Sequence, residues 1–586
     1  MMMISTIRGR GIRIRGGGVA GIFIALFFLF FCNPAYAQQS GEDIAAQSER
    51  FRQGIEEKRQ QTEEKPVKHA EIEFKEKKEG AAQEGPSFVL KEVTVTGSTI
   101  FRHEDFVFAF EPYLAKEVRF KDLESIADKI KARYKEQGFF TTTAYVPQQD
   151  IKDGKVEIRI MEGKMGALTF EGNKWFSSAV IEKFFHSKKN ELLNVKTLQR
   201  DLLRLNLNPD LNIKAVIAAG KEQETSDITL KARESFPDHA GFGVDNQGSR
   251  LVGKYRPMYF VRSSNATGRL DSFYLSYLFS SSSSGESLSY AIPVGTYGTK
   301  FTLDIAYFET KLGKEFTDFD ITGTTQSYAP RVTWELALSD TYQASADLGL
   351  EIKAIKKRIG ANVTSNDQMR LPYVSFNFAK SDAWGGGGQT VFSPRITFGT
   401  ENFLGASSRN HPTASRANTG GFFAKYEQTL QRIQRMPFGT YISLKTHFQV
   451  ASHTLASSEQ LQIGGANSVR GYPEGEYLAD SGGYMNFEWF FPAYFIPERW
   501  KLPNARFSLR HQIEPVFFVD VGKGGLKKAL SGEKKDKFLA GIGGGFKIRL
   551  NDNFYLRLEW AGRIGNNPAG NSGPSTFHMT FQYDMQ

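Results

Sequence analysis

The sequence predicts a mainly β protein in two parts: two α+β modules of βααββ order, then a 16-stranded antiparallel transmembrane β-barrel. Three observations predict it. Two tandem stretches, 87–164 and 165–237, repeat the order strand, two helices, two strands. From about residue 238 the chain turns to strand-period alternation of aromatic and polar side chains; about 350 residues at some ten per strand give the even count of 16. No continuous apolar stretch of about 20 residues follows Gln38, so a membrane crossing after that point must be made by strands.

At 586 residues, 40% hydrophobic and 13% aromatic, the chain is long and apolar enough for several folded domains. Its net charge of +10 is spread without a long basic block, so charge does not separate nucleic acid from an anionic membrane surface as partner. Residues 1–37 place Arg8, Arg10, Arg13 and Arg15 before the apolar run 19–31 and end on Ala35-Tyr36-Ala37, which reads as a cleaved secretory signal peptide. The only cysteine, Cys32, lies inside it, so the exported chain is expected to form no disulfide and no cysteine metal site. Within 38–62, Ile44, Ser48, Phe51 and Ile55 share one stripe and predict a thin amphipathic helix over 43–61. Residues 63–86, with Pro66 and mixed charges, read as a mobile linker.

In the first module a strand over 88–96 precedes helical periodicity through Phe106, Phe110 and Leu114, and again through Leu123, Ile126, Ile130 and Tyr134. Gly138 stands at a C-cap position, and strands follow over 141–147 and 155–161. The second module repeats the plan with a strand over 167–171, helices over 177–185 and 195–205, and strands over 212–219 and 227–232. Ile100-Phe101, Pro112-Tyr113-Leu114, the run 120–138, the segment 144–154 with Pro147, Gln148, Asp150 and Gly154, and Met161-Glu162-Gly163 resemble the first POTRA domain of two-partner secretion transporters.

Barrel patterning is clearest where Phe301, Leu303, Ile305 and Tyr307 alternate with Thr302, Asp304 and Ala306, and where Phe554, Leu556, Leu558 and Trp560 alternate with Tyr555, Arg557 and Glu559. Phe538, Ala540, Ile542, Gly544, Phe546, Ile548 and Leu550 do the same against Lys547 and Arg549. If the first strand runs outward, connections should alternate between long loops and short turns. Short links are predicted at 294–299, 339–340 and 551–553, and long ones at 310–326, 354–369, 400–419, 452–482, 522–536 and 562–574; 491–504 is long for a periplasmic turn. The strand over 576–583 is expected to close on the first, although the chain ends at Gln586 rather than on an aromatic residue.

The long loop 452–482, the sixth outer connection, carries Val469-Arg470-Gly471-Tyr472. An arginine beside glycine can fold back onto a carboxylate and hold it through two charge-assisted bonds, which lysine cannot. A carboxylate follows in Phe518-Val519-Asp520-Val521-Gly522. Both halves match the pair of motifs by which the sixth loop of these transporters folds into the lumen, so the resemblance extends over about Phe88 to Tyr583 and implies that Arg470 meets Asp520 there.

The family resembled is the TpsB class (FhaC, ShlB and HecB-like haemolysin secretion/activation proteins), in the superfamily shared with BamA and TamA. It implies an outer-membrane translocator with periplasmic POTRA domains, a large β-helical secreted exoprotein as client, outer-membrane lipids around the barrel and the barrel assembly machinery during biogenesis. The helix near 43–61 stands where these transporters carry one that can plug the barrel, with a solvated arm as the alternative reading of the same residues. A BamA/TamA-like assembly factor and a passive porin stand as alternatives. No cofactor, metal site or nucleic-acid partner is expected: the histidines are scattered, no nucleophile constellation occurs, and the glycines of 541–545 sit in a strand pattern that lacks a dinucleotide site's strand-turn-helix context.

Overall fold

The computed structural model describes residues 44–63, 70–74, 87–409, 411–503, 507–529, 533–551, 553–565 and 573–585. The expected signal peptide and most of the expected linker lie outside them. Helix α1 (Ile44–Glu63) comes first, followed by a short strand β1 (Ile72–Phe74). The strand corrects the reading of 63–86 as linker throughout. Three residues are too few to show a period.

In the first module, strands β2 (Phe88–Val89), β3 (Glu92–Thr96), β4 (Glu117–Val118), β5 (Thr143–Tyr145) and β6 (Lys155–Met161) accompany helices α2 (Val107–Phe110) and α3 (Phe120–Glu136). The predicted strand 88–96 is thus broken at Leu90-Lys91. Its first part pairs with β4 and its second runs parallel to β6. Strand 141–147 shrinks to β5, antiparallel to β6. Leu123, Ile126, Ile130 and Tyr134, on one face of α3, are buried against Val93, Val156, Ile158 and Ile160. Each such side chain contributes about 1.5–3 kcal/mol of burial. Gly138 ends the turn after α3 at φ +97°, where any Cβ would be strained.

The second module has β7 (Lys164–Glu171), α4 (Ser178–Lys183), α5 (Val195–Asn206), β8 (Leu211–Ala219) and β9 (Thr225–Glu234), with β1 added outside β8 to give the order β1-β8-β9-β7. Asn194 caps α5 by accepting from the amides of Lys196 and Thr197, and its own amide donates to Gln137 O at 3.1 Å. One side chain therefore starts a helix in one module and binds the end of a helix in the other. The second module also rests on the barrel: Arg204 donates to Glu335 Oε2 at 3.1 Å and to Thr296 O at 3.1 Å, and the His186 ring lies 4.2 Å from that of Tyr297.

Sixteen antiparallel strands close the barrel, from Asp238–Asp245 to Ser575–Met585, the first pairing with the last through Ala240↔Met585 to Asp245↔Thr580. Phe301, Ile396, Phe448, Ile542, Phe546 and Trp560 stand on the outer face. The long–short alternation holds at 294–299, 339–341, 400–422, 452–480 and 551–553, while 491–512 is a long turn on the short side.

Two expected loops are corrected. Strands Tyr342–Ile359 and Asn362–Asp382 run through most of 354–369 and meet in a turn at Gly360 and Ala361. Strand Lys300–Lys311 reaches into 310–326, and its neighbour starts at Ile321. Beyond the bilayer a strand needs no apolar face, so its period vanishes while its backbone ladder continues.

Candidate functional site: the lumen

The barrel interior is filled by two segments distant in sequence: the loop 452–480 and helix α1. The loop sends a small hairpin inward, Leu461–Ile463 paired with Tyr477–Ala479. Its base is held by Asp480, fully buried, which accepts from Arg416 Nη1 at 3.1 Å, Leu455 N at 3.0 Å and Lys527 N at 2.8 Å. Three loops are thereby joined at one carboxylate.

At the tip, Arg470 is 2% exposed and Asp520, on the thirteenth strand (Ile513–Gly525), is 0% exposed. Nε and Nη2 of Arg470 donate to the two oxygens of Asp520 at 2.7 and 2.8 Å, and the Arg470 backbone N–H adds a third bond at 3.1 Å. Nη1 donates to Glu488 at 2.7 Å and to Glu559 at 2.8 Å. The guanidinium carbon lies 3.5 Å from the centroid of the Phe518 ring, so the motif's aromatic residue contributes a cation–π face. Arg557 also donates to Glu559, at 2.8 Å, and to Glu488, and Asn486 donates to Asp520 at 2.8 Å. Two guanidiniums and three carboxylates, bonded to one another, meet the requirement that buried charge be both paired and hydrogen-bonded.

The remaining motif residues shape the tip. Val469 is buried with Leu461, Ile463, Tyr472, Tyr477, Leu526 and Leu539. Gly471 adopts φ +93°, and its carbonyl accepts from Arg563 Nε at 2.8 Å. The Arg563 guanidinium lies 5.5 Å from the Tyr472 ring. A Cβ at Gly522 would meet Ile463 Cγ2 at 2.8 Å and Val469 Cγ2 at 2.9 Å, so the loop lies directly on that strand. Gly541, on the next strand, faces Arg470 in the same way. The glycines of 541–545 thus give close approach.

Sequence reasoning missed Glu488, Asn486 and the role of Arg557 and Glu559. The available signal was the inward-facing polar positions of strands Ser481–Phe490 and Phe554–Arg563, but nothing in alternation says which such charge meets the loop.

Helix α1 lies between the loop and the wall. Residues 45–51 are all buried, the polar ones included, so this end of the helix is surrounded. Phe51 and Ile55 pack with Met258, Phe260, Tyr274 and Phe308, while Arg256, bonded to Asp245 at 2.7 Å, lies over the Phe51 ring. Arg50 donates to Gln462 at 2.9 Å, and Gln462 returns a bond to Ala46 O at 2.9 Å, tying helix to loop. Lys353, on the wall, reaches Glu459 of the loop at 2.8 Å, Glu351 at 3.2 Å and Glu49 of the helix at 3.5 Å. Burial pushes the Glu459 carboxyl upward, but Lys353 and Lys425 outweigh it and hold Glu459 well below the usual carboxylate range. Burial prevails at Glu474, which is pushed up to about 7 although Ala466 N donates to it at 2.8 Å. A cavity of about 280 Å³ remains between helix and loop, lined by charged side chains including Glu49, Arg52, Lys425 and Glu474.

In the first module, Glu162 is buried and accepts from Thr99 N at 2.8 Å and from Tyr134 Oη at 2.7 Å. Gly154 stands at φ +72°, and its carbonyl accepts from Lys91 N at 2.8 Å. A Cβ at Gly163 would meet Thr141 Oγ1 at 2.2 Å. Pro147 O accepts from Gln149 Nε2 at 3.3 Å, whereas Gln148 and Asp150 are exposed. The structural bonds of that segment belong to Gln149, which also bonds both backbone groups of Glu157.

The sequence profile described as haemolysin secretion/activation protein ShlB/FhaC/HecB matches residues 224–548, and that of the POTRA domain, ShlB-type, matches 88–163. The chain is 23% identical over 474 residues to the heme/hemopexin transporter protein HuxB of Haemophilus influenzae, covering 78% of this chain and 80% of that protein. To the outer membrane transporter CdiB of Dickeya dadantii it is 22% identical over 427 residues, covering 71% and 74%. In fold it is similar to the structure of CdiB from Escherichia coli, with a TM-score of 0.71 at 18% identity, covering 94% of this chain and all of that one. BamA from Haemophilus ducreyi lacking POTRA domains 1-3 shares the fold at a TM-score of 0.51 and 14% identity, over 85% of this chain and all of that one. The chain belongs to the ShlB/FhaC/HecB family of haemolysin secretion/activation proteins, outer-membrane two-partner secretion transporters whose barrel lies in the membrane and whose POTRA domains lie in the periplasm.

Proposed function

We propose that this transporter works as a gated conduit in which the two modules take up an unfolded exoprotein in the periplasm, α1 closes the lumen at rest, and the Arg470–Asp520 pair holds the sixth loop inside the barrel. The client is a large secreted protein, β-helical once folded, that crosses in extended form. Folding at the cell surface would then draw the chain outward without a nucleotide.

The observation that carries this reading is the bonding of Arg470 to three carboxylates on three different strands, Asp520, Glu488 and Glu559. A loop that merely capped the barrel would need no buried ionic attachment to its wall. The closed state is supported by Lys353, which reaches helix and loop together.

The test is export of a large protein encoded beside this chain, compared between wild type and Arg470→Ala at equal membrane levels. Loss of the client from the medium with the barrel still inserted is the expected result. Undiminished export contradicts it.

A further inference from the structure

Residues 70–74 touch three parts of the molecule at once. β1 runs parallel to β8 in the register Ile72↔Ala215 to Phe74↔Ile217, and Ala215 N donates to Glu71 O at 3.0 Å. Ala70 and Ile72 pack on the second module's core. Lys214 Nζ donates to Glu73 at 2.7 Å, and the Phe74 ring stacks on Phe140 of the first module at 6.1 Å. Ala70 N donates at 3.2 Å to Asp340 in a periplasmic turn of the barrel, where Gln199 of α5 donates too.

The strand is nevertheless thin. It has three residues against nine in β8, and Phe74 is 43% exposed. Without it β8 is a sheet edge whose unsatisfied backbone groups accept any extended chain of suitable alternation.

We propose that the outer side of β8 is the docking strand for an extended segment of the exported client, and that Ile72–Phe74 is a resident substitute which the client displaces. This rests on the reading of the modules as client receptor and of α1 as plug. The substitute defines the chemistry of the segment that replaces it. Two apolar residues two positions apart follow Ala70 and Ile72 onto the core, a carboxylate meets Lys214, and an aromatic ring reaches Phe140.

Displacement has a second effect, because only six residues separate Glu63 from Ala70. At most about 25 Å of chain links them, whereas the helix is about 30 Å long. While β1 stays paired, Glu63 is held within that reach of Ala70, and the path by which α1 can leave the lumen is restricted accordingly. Docking of the client therefore lifts that restraint on the plug.

The experiment uses the purified full chain and, as probe, a fluorescent peptide of the sequence 70–76 (Ala-Glu-Ile-Glu-Phe-Lys-Glu). Glu73→Pro removes the N–H that the parallel ladder uses at that position and should bind the peptide at least tenfold more tightly than wild type. The pair Glu73→Cys with Val216→Cys, whose Cα atoms are ladder partners, should bind none when oxidised and recover on reduction. In planar bilayers the peptide should raise the conductance of the wild-type chain and leave the oxidised pair unchanged. Equal binding by all forms, or by none, overturns the docking strand. Binding as expected with no rise in conductance overturns the coupling to α1. Failure of the export reading shows separately, as absence of any client from the medium while the peptide titrations follow expectation.

Discussion

The carbonyl oxygen of Arg470 occupies the space that a side chain on Gly541 would need, since a Cβ there would lie 2.0 Å from it. Gly541 is also the ladder partner of Asp520 across the thirteenth and fourteenth strands. The arginine, its carboxylate and the glycine that admits them therefore form one contact. Gly541→Val should expel the loop tip without touching the strand ladder. Export should fall at least tenfold while the barrel keeps its wild-type shift between heated and unheated samples on gels, and a variant that exports normally removes the need for close approach.

Arg470→Ala strands Asp520 in a buried position, at a cost of about 3–5 kcal/mol to the docked loop. Arg470→Lys should rescue little, because a point charge cannot make the bidentate contact or lie flat on Phe518. Cysteine accessibility of the tip, measured with a thiol reagent at position 467, should rise in both variants.

Deleting residues 44–63 should raise resting ion conductance in planar bilayers, since it removes Phe51, Ile55 and the polar residues around them from the lumen. Lys353→Ala, which cuts wall, helix and loop apart at one nitrogen, should give an intermediate rise. Unchanged conductance in the deletion would mean that the helix does not obstruct ions.

Docking of the loop should weaken with rising pH. Glu474 is pushed from its ordinary value of 4.5 up to about 7 by burial, with Arg50 and Arg256 opposing the shift and Asp245 adding to it. A raised carboxyl value means that the docked form holds the proton more firmly than the released one. Its contribution is complete below pH 4.5 and is lost as pH rises through about 7. Thiol accessibility of the tip should increase between pH 5.5 and 8.5, and Glu474→Gln should flatten that profile.

Much of the architecture could be read from the chain because membrane strands keep an outer apolar face. Phe301 to Tyr307 and Phe538 to Leu550 show it directly. Legibility ended where that requirement ended: 354–359 and 362–369 alternate nothing, yet form a continuous hairpin. The Arg470–Asp520 contact was legible because both residues lie in recognisable motifs, whereas Glu488 and Glu559 arrive from separate strands and resemble any other lumen-facing carboxylate. In the first module the same motif contained buried Glu162 and exposed Asp150. Sequence alone gives both equal standing, since only the fold places Tyr134 against one of them.

The ionic packing of the lumen also sets the thermodynamic character of opening. Withdrawal of helix and loop uncovers carboxylates, guanidiniums and ammoniums as well as the apolar clusters around Phe51 and Val469, and polar exposure lowers heat capacity where apolar exposure raises it. The two contributions to heat capacity therefore oppose each other on opening, and the ionic part makes opening depend on ionic strength. The same barrel can then be rigid toward heat in its wall and responsive to salt in its interior.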